Sequence, residues 1–290
     1  MKVKALCVFV LLAAAGALAG CGGNPASSGI LSPLQQNRST TFQFVGYWDG
    51  WQQNNLVNTP QGVNAIPIAF GYLRGHTITM SEITQGYVTA KDIAALHARG
   101  VKVTLSLGGW SPKNSFVFDG DVQGFENSLR AVLAKLPFDG VDFDEEHGTT
   151  QQRIKDLTTL IPATRSFFNS LGQPGAVVTY PAWNRPGDYG DGTILKNANV
   201  VAALSWVNVM SHENNDVART ESDLEAYGAI FDKHRLMLGV DIDDAPIPTN
   251  ASLQALSSWV RTNAYGGMMA WTVNSITAGQ MNAITGTPSL

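Results

Sequence analysis

Apolar residues recur along this chain in two rhythms. Short runs rich in β-branched and aromatic side chains lie at 42–48, 66–70, 101–107, 140–144, 176–180, 206–210, 235–240 and 267–271, and each reads as a buried strand. Between them the period lengthens. Thr89 and Asp92 make a capping-box-like start to a helix carrying Ile93, Ala94 and Leu96, which Gly100 ends. Thr220 or Ser222 opens another with Leu224, Tyr227, Ile230 and Phe231. Leu253, Leu256, Trp259 and Val260 form a third stripe, whose Trp259 is assigned to core. Strand and helix alternate eight times across residues 42–290. In this length the alternation predicts an α/β fold, a single (β/α)8 TIM barrel, rather than an open doubly wound sheet, since no Gly-rich phosphate fingerprint follows the first strand. No interstrand segment is long enough to hold a large inserted module.

The N-terminus follows a different rule. Lys2 and Lys4 precede an apolar run from Ala5 to Leu18, and Leu18, Ala19, Gly20 and Cys21 make a small-residue exit. Residues 1–20 therefore read as a signal peptide, too short for a spanning helix of about 20 apolar residues. The exit resembles the bacterial lipobox, which implies lipidation of Cys21; a buried or reactive cysteine is the other reading. Residues 21–41, rich in Gly, Asn, Pro, Ser and Gln, read as a flexible tether. Cys7 leaves with the signal, so the mature chain is expected to hold no disulfide and to rely on its core. Gly22 after Cys21 resembles an outer-membrane sorting pattern, so the expectation is an exported bacterial lipoprotein that touches the membrane only through its lipid. Removing Lys2 and Lys4 from 19 basic against 23 acidic side chains leaves the chain mildly acidic, which argues against a nucleic-acid partner.

Candidate chemistry concentrates in the fourth strand. Side chains alternate faces, so Val141 and Phe143 point one way while Asp142, Asp144 and Glu146 point the other. In the third strand Val103, Leu105 and Leu107 alternate likewise with Thr104, Ser106 and Gly108. In a barrel the apolar set packs under helices and the polar set lines the interior and its C-terminal mouth. Three carboxyls so close raise one another's proton affinity, so at least one should hold a proton near neutral pH, as a general acid must. A solvated acidic edge strand is a poorer account, because Phe138, Val141 and Phe143 flank the acids. A hard-cation site on Asp-x-Asp-x-Glu remains a rival. Tyr47, Trp48, Trp51, Trp110, Trp183 and Trp271 lie at strand ends, where aromatic faces can stack on the apolar faces of sugars.

The run Asp139-Gly140-Val141-Asp142-Phe143-Asp144-Glu145-Glu146 resembles the D-x-x-D-x-D-x-E signature of family 18 glycoside hydrolases, the chitinases and endo-β-N-acetylglucosaminidases. Ser106, Gly108, Gly109 and Trp110 resemble the family's third-strand element, and Trp271 its eighth-strand tryptophan. The resemblance implies a substrate-assisted retaining hydrolase, without cofactor or metal, acting on β-1,4-linked N-acetylglucosamine. Glu146 would be the acid. Asp144 would orient the substrate's acetamide, which is the nucleophile, and Asp142 would share a proton with Asp144. Trp271, Met210, Tyr47, Trp110 and Trp183 would bind sugar. Asp139, out of phase, is expected to open the strand structurally. The alternatives are an endo-β-N-acetylglucosaminidase acting on Asn-linked glycans and a non-catalytic lectin for chitin or N-acetylglucosamine. One departure stands out: His212 takes the place where the family carries a tyrosine after the sixth strand. Its parity with Asn208 and Met210 places it at the barrel mouth, where neighbouring carboxyls are expected to raise its proton affinity.

Overall fold

Inward and outward positions alternate along every long strand, and only a closed sheet buries both sets without leaving edges. The computed structural model describes residues 41–50, 55–110, 116–212, 216–243 and 246–286. Trp51, Cys21 and the leader and tether up to residue 40 lie outside these residues. The barrel strands are β1 (Gln43–Gly46), β2 (Ala65–Arg74), β3 (Lys102–Gly108), β4 (Gly140–Asp144), β5 (Val177–Ala182), β6 (Trp206–Val209), β7 (Leu236–Asp241) and β8 (Gly267–Trp271). Each pairs in parallel with the next. Gln43 meets Gly267 and Val45 meets Ala65, which closes the ring as a single (β/α)8 TIM barrel. Around it lie α1 (Glu82–Tyr87), α2 (Ala90–His97), α3 (Val122–Leu133), α4 (Thr150–Ser170), α5 (Asp191–Lys196), α6 (Ala198–Ala203), α7 (Val217–Gly228), α8 (Asn250–Thr262) and α9 (Ala278–Thr285). Among the described residues no helix is long and apolar enough to cross a membrane.

The alternation produces two cores. Val141, Phe143, Leu105 and Leu107 point outward into a continuous layer with the helices, where Phe143 meets Phe125 of α3 at 6.3 Å. Inside the ring a smaller cluster holds Val45, Tyr47, Ala65, Met210, Met237 and Met269, with Trp183, Trp206 and Trp271 packed against it. At the bottom of β4, Asp139 accepts hydrogen bonds from His97 Nε2 at 2.7 Å, Lys102 Nζ at 2.8 Å and the Val103 amide at 2.8 Å. It ties the start of β3 to β4, as its phase suggests. Gly140 is required beside it, since a Cβ there would lie 1.7 Å from the Val177 carbonyl oxygen.

Two local expectations are corrected. β2 continues past residue 70 to Arg74 and turns back as Thr77–Met80; the reversal uses Gly75 at φ +64, a left-handed conformation that suits glycine. Helix α7 does not open at Thr220 or Ser222. Its cap is Asp216, whose side chain accepts from the Arg219 amide at 2.9 Å, while the Thr220 hydroxyl bonds back to Asp216 O at 2.7 Å inside the first turn. By contrast α2 carries the full capping box of Thr89 and Asp92, and Trp259 of α8 is half-buried against the core, stacked on Tyr265.

Candidate active site

The floor of the site is assembled by strands far apart in sequence. Asp142 is fully buried and accepts hydrogen bonds from Tyr47 Oη at 2.9 Å, Ser106 Oγ at 2.7 Å and Thr179 Oγ1 at 2.5 Å. Tyr47 stands just past the end of β1, and Ser106 and Thr179 stand on β3 and β5. From β6, Asn208 Nδ2 donates to Tyr47 Oη at 3.2 Å. Burial raises the proton affinity of Asp142, and the three hydroxyl donors oppose that rise by stabilising its anion.

Asp144 lies two residues nearer the mouth, level with Gly108. Gly108 is needed there: its φ is +115, and a Cβ would lie 2.1 Å from Asp144 O. The Gly109 amide donates to that same carbonyl at 2.7 Å. Asp144 is 4% exposed, yet its Oδ1 is a buried atom with no hydrogen-bond partner in the protein. Burial holds this carboxyl well above the usual carboxylate range, repulsion from Glu146 and Asp142 adds to the effect, and Arg153 opposes it. Glu146, just past the strand and half-buried, is pushed up to about 7, chiefly by burial, with Arg153 pulling down and Glu145 pushing up. A carboxyl that titrates there can release and recover a proton near neutral pH. Beside it, a buried oxygen without a donor can accept one from a ligand.

Behind the carboxyls runs a buried ionic network that the sequence did not disclose. Arg153, one turn into α4, lies 2.8 Å from Glu145 Oε2 and 3.3 Å from Asp191 Oδ1. It also donates to Glu145 O at 2.9 Å, Tyr189 O at 3.0 Å and Tyr180 Oη at 2.9 Å. Arg153 and Asp191 are 38 residues apart, so no local pattern announces the pair. Thr179 was legible in principle, since parity with Val177 along β5 turns it inward.

The aromatic residues divide by exposure. Trp110 is 66% exposed and meets Trp183 edge-on at 5.9 Å; Trp183 in turn lies 4.9 Å from Tyr189, itself 51% exposed. Tyr189 was not singled out from sequence. Trp271, half-buried, stacks on Phe70 at 5.8 Å and lies 5.8 Å from Tyr47. Tyr47 and Met210 are buried in the barrel interior. Tyr47 is therefore not an open face for a sugar: its hydroxyl serves Asp142.

The expectation for His212 is corrected as well. Its Nε2 is buried without a partner, and burial pushes its pKa down to about 4. Desolvation of the cation outweighs attraction to any carboxyl, so the imidazole stays neutral over the range in which Glu146 titrates. Among the described residues, no three His, Cys, Asp or Glu side chains are gathered so as to hold a metal ion.

The family described as glycosyl hydrolases family 18 matches residues 43–245. Chitinase Chi52 of Paenibacillus xylanexedens is 26% identical over 173 residues, which cover 55% of this chain and 33% of that protein. Among solved structures, the class V chitinase from Nicotiana tobaccum superposes with a TM-score of 0.68 at 14% identity, covering 86% of this chain and 99% of its own. The Cycas revoluta chitinase variant in complex with (GlcNAc)4 gives 0.67 at 16% identity, covering 84% and 99%.

Proposed function

Because the chain belongs to the glycosyl hydrolases of family 18, we propose that it cleaves β-1,4 bonds next to N-acetylglucosamine in chitin or its oligosaccharides by a substrate-assisted retaining mechanism. One observation carries the reading. Of the three carboxyls in line, Asp142 is capped by three hydroxyls, Asp144 keeps a buried oxygen without a donor, and Glu146 titrates at about 7. An acetamide N–H fits the vacant acceptor. A sugar without that group leaves it unsatisfied.

The reaction then follows from the protonation states. Glu146 gives its proton to the glycosidic oxygen as the bond to the anomeric carbon breaks, and the acetamide oxygen attacks that carbon to form an oxazolinium ion. The positive charge favours an anionic Asp144. Its proton passes to Asp142, the deeper member of the pair, and Asp144 then accepts from the acetamide nitrogen. Glu146, now a carboxylate, takes a proton from the incoming water, whose oxygen opens the oxazolinium ion with net retention. Neutral His212 offers a donor to the acetamide oxygen in place of the family's tyrosine. Trp110 and Tyr189 supply exposed ring faces for neighbouring sugars beside half-buried Trp183, and Trp271 supplies a floor. The bound (GlcNAc)4 of the Cycas revoluta protein is consistent with a substrate of this class.

As part of the same proposal, lipid on Cys21 holds the enzyme at a membrane, on the strength of the leader and of Leu18 to Cys21 alone. The catalytic assignment is tested by Glu146→Gln, which keeps the shape but cannot donate a proton. Turnover of chitotetraose should fall by about 10²- to 10⁴-fold, with its Kd changed by less than about threefold. A variant with the wild-type rate would remove Glu146 from the mechanism.

A further inference from the structure

Glu145 occupies a position that the D-x-x-D-x-D-x-E signature leaves free, and in this chain it is 2% exposed. Its Oε1 accepts from the amides of His147 at 3.0 Å and Gly148 at 2.5 Å, the turn that follows Glu146. Its Oε2 and its carbonyl oxygen both face Arg153. The same guanidinium reaches Tyr189 O and, through Tyr180 Oη, Asp191. Asp191 accepts from the Trp183 amide at 2.7 Å, and Tyr227 Oη lies 2.7 Å from Trp183 O. A planar fork with all three nitrogens engaged thus grips the segment bearing Glu146 and the backbone of Tyr189 directly, and the segment bearing Trp183 through Asp191.

We propose that Arg153 is a positioning residue that joins the turn carrying Glu146 to the aromatic wall of Trp183 and Tyr189, fixing the distance between the proton donor and the sugar platform. The proposal rests on the hydrolase reading and adds to it a residue outside the signature. Lysine could keep the charge but not the fork, because its single ammonium cannot bridge two carbonyls and two carboxylates in one plane. A reaction that needs the glycosidic oxygen within reach of Glu146 is sensitive to shifts on the order of 1 Å in either wall.

The same placement has an electrical signature. Near the carboxyl cluster stand Asp142 and Asp144 on β4, Tyr47 just past β1, Tyr180 on β5, His147 after β4 and neutral His212 after β6. Glu145, Arg153 and, behind them, Asp191 complete the set. Of these, Arg153 lowers and Glu145 raises the proton affinity of Glu146. Removing one or the other must therefore move Glu146 in opposite directions.

The experiment is a carbon-13 carboxyl NMR titration of Glu146 in wild type, Arg153→Lys, Arg153→Met and Glu145→Gln, with kcat and KM on chitotetraose for each. Glu145→Gln should lower the midpoint and Arg153→Met raise it, each by about 1 pH unit, while Arg153→Lys leaves it within a few tenths. Arg153→Lys should lower kcat by about tenfold or more and raise KM, since acid and platform share one clamp. If Arg153→Met fails to fold, Glu145→Gln and Arg153→Lys decide the matter, as each keeps a partner for the remaining charges. An unchanged or raised midpoint in Glu145→Gln, or wild-type kcat and KM in Arg153→Lys with only a lowered Tm, would overturn the inference. Failure of the wild type to hydrolyse chitotetraose would count against the proposed function instead, and the titration would still judge Arg153.

Discussion

Asp142, Asp144 and Glu146 stand two residues apart, yet each meets a different environment, and that difference sets their roles. Strand parity was enough to bring them to one face. Which of them keeps a proton depended on burial and, for Asp142, on hydroxyl donors from β3, β5 and the residue after β1, and those are invisible to a local pattern. Glu146 holds its proton to about 7 in the fold against 4.5 ordinarily. Between those values the folded state binds more protons than the unfolded chain, so rising pH costs stability. Glu146→Gln should therefore raise stability at pH 8, by an amount on the order of 3 kcal/mol or less, and leave it nearly unchanged at pH 4. Equal gains at both pH values in thermal melts would contradict the raised affinity. The wild-type kcat/KM should fall as pH rises above about 7, as the acid loses its proton. His212 acts in the other sense: with a pKa of about 4 it is neutral above pH 5, so no inflection near 6 should arise from it. His212→Ala should still lower kcat by about 10- to 1000-fold, the loss of a transition-state donor. A folded variant with unchanged kcat would mean that the imidazole does not meet the substrate.

At the scale of elements, periodicity was a good guide wherever one face is apolar throughout. β4 and β8 have the bounds expected, because Gly140 and Gly267 mark their starts and the chain leaves the sheet at Asp144 and Trp271. The hairpin after β2 was missed since Gly71, Tyr72 and Arg74 break the apolar run while pairing of Tyr72 with Thr79 continues the strand. The start of α7 was misplaced because Thr220 and Ser222 follow Asp216 closely, and it is the Asp216 side chain that takes the cap. Its replacement, Asp216→Ala, should cost about 1 kcal/mol in urea unfolding with no effect on kcat; a neutral result would deny the cap its role. Gly108 is the more sensitive position. Gly108→Ala forces a Cβ against Asp144 O in a left-handed conformation. The change should lower stability by about 2 kcal/mol or more and depress kcat together with it. Unaltered melting and turnover would show that the β3 and β4 ends are looser than described.

For the molecule as a whole, the barrel was legible from eight alternations because a closed parallel sheet is the arrangement that buries both faces of every strand. The buried network of Arg153, Glu145 and Asp191 was not, since its partners meet only after the ring closes. The proposed lipid anchor predicts that Cys21→Ser releases the protein from membranes with its kcat intact, since several acyl chains on one residue hold firmly and their loss removes the anchor. Membrane retention of that variant in a fractionation would point to an uncleaved leader. The central claim is hydrolysis assisted by the substrate's own acetamide. Proton NMR of the products formed from chitotetraose in the first minutes, beside a cellotetraose control, tests it most directly. The account predicts that the β-anomer appears first and mutarotates later, with the cellulose oligomer untouched. Initial α-anomer, or cleavage of both oligomers alike, would contradict it.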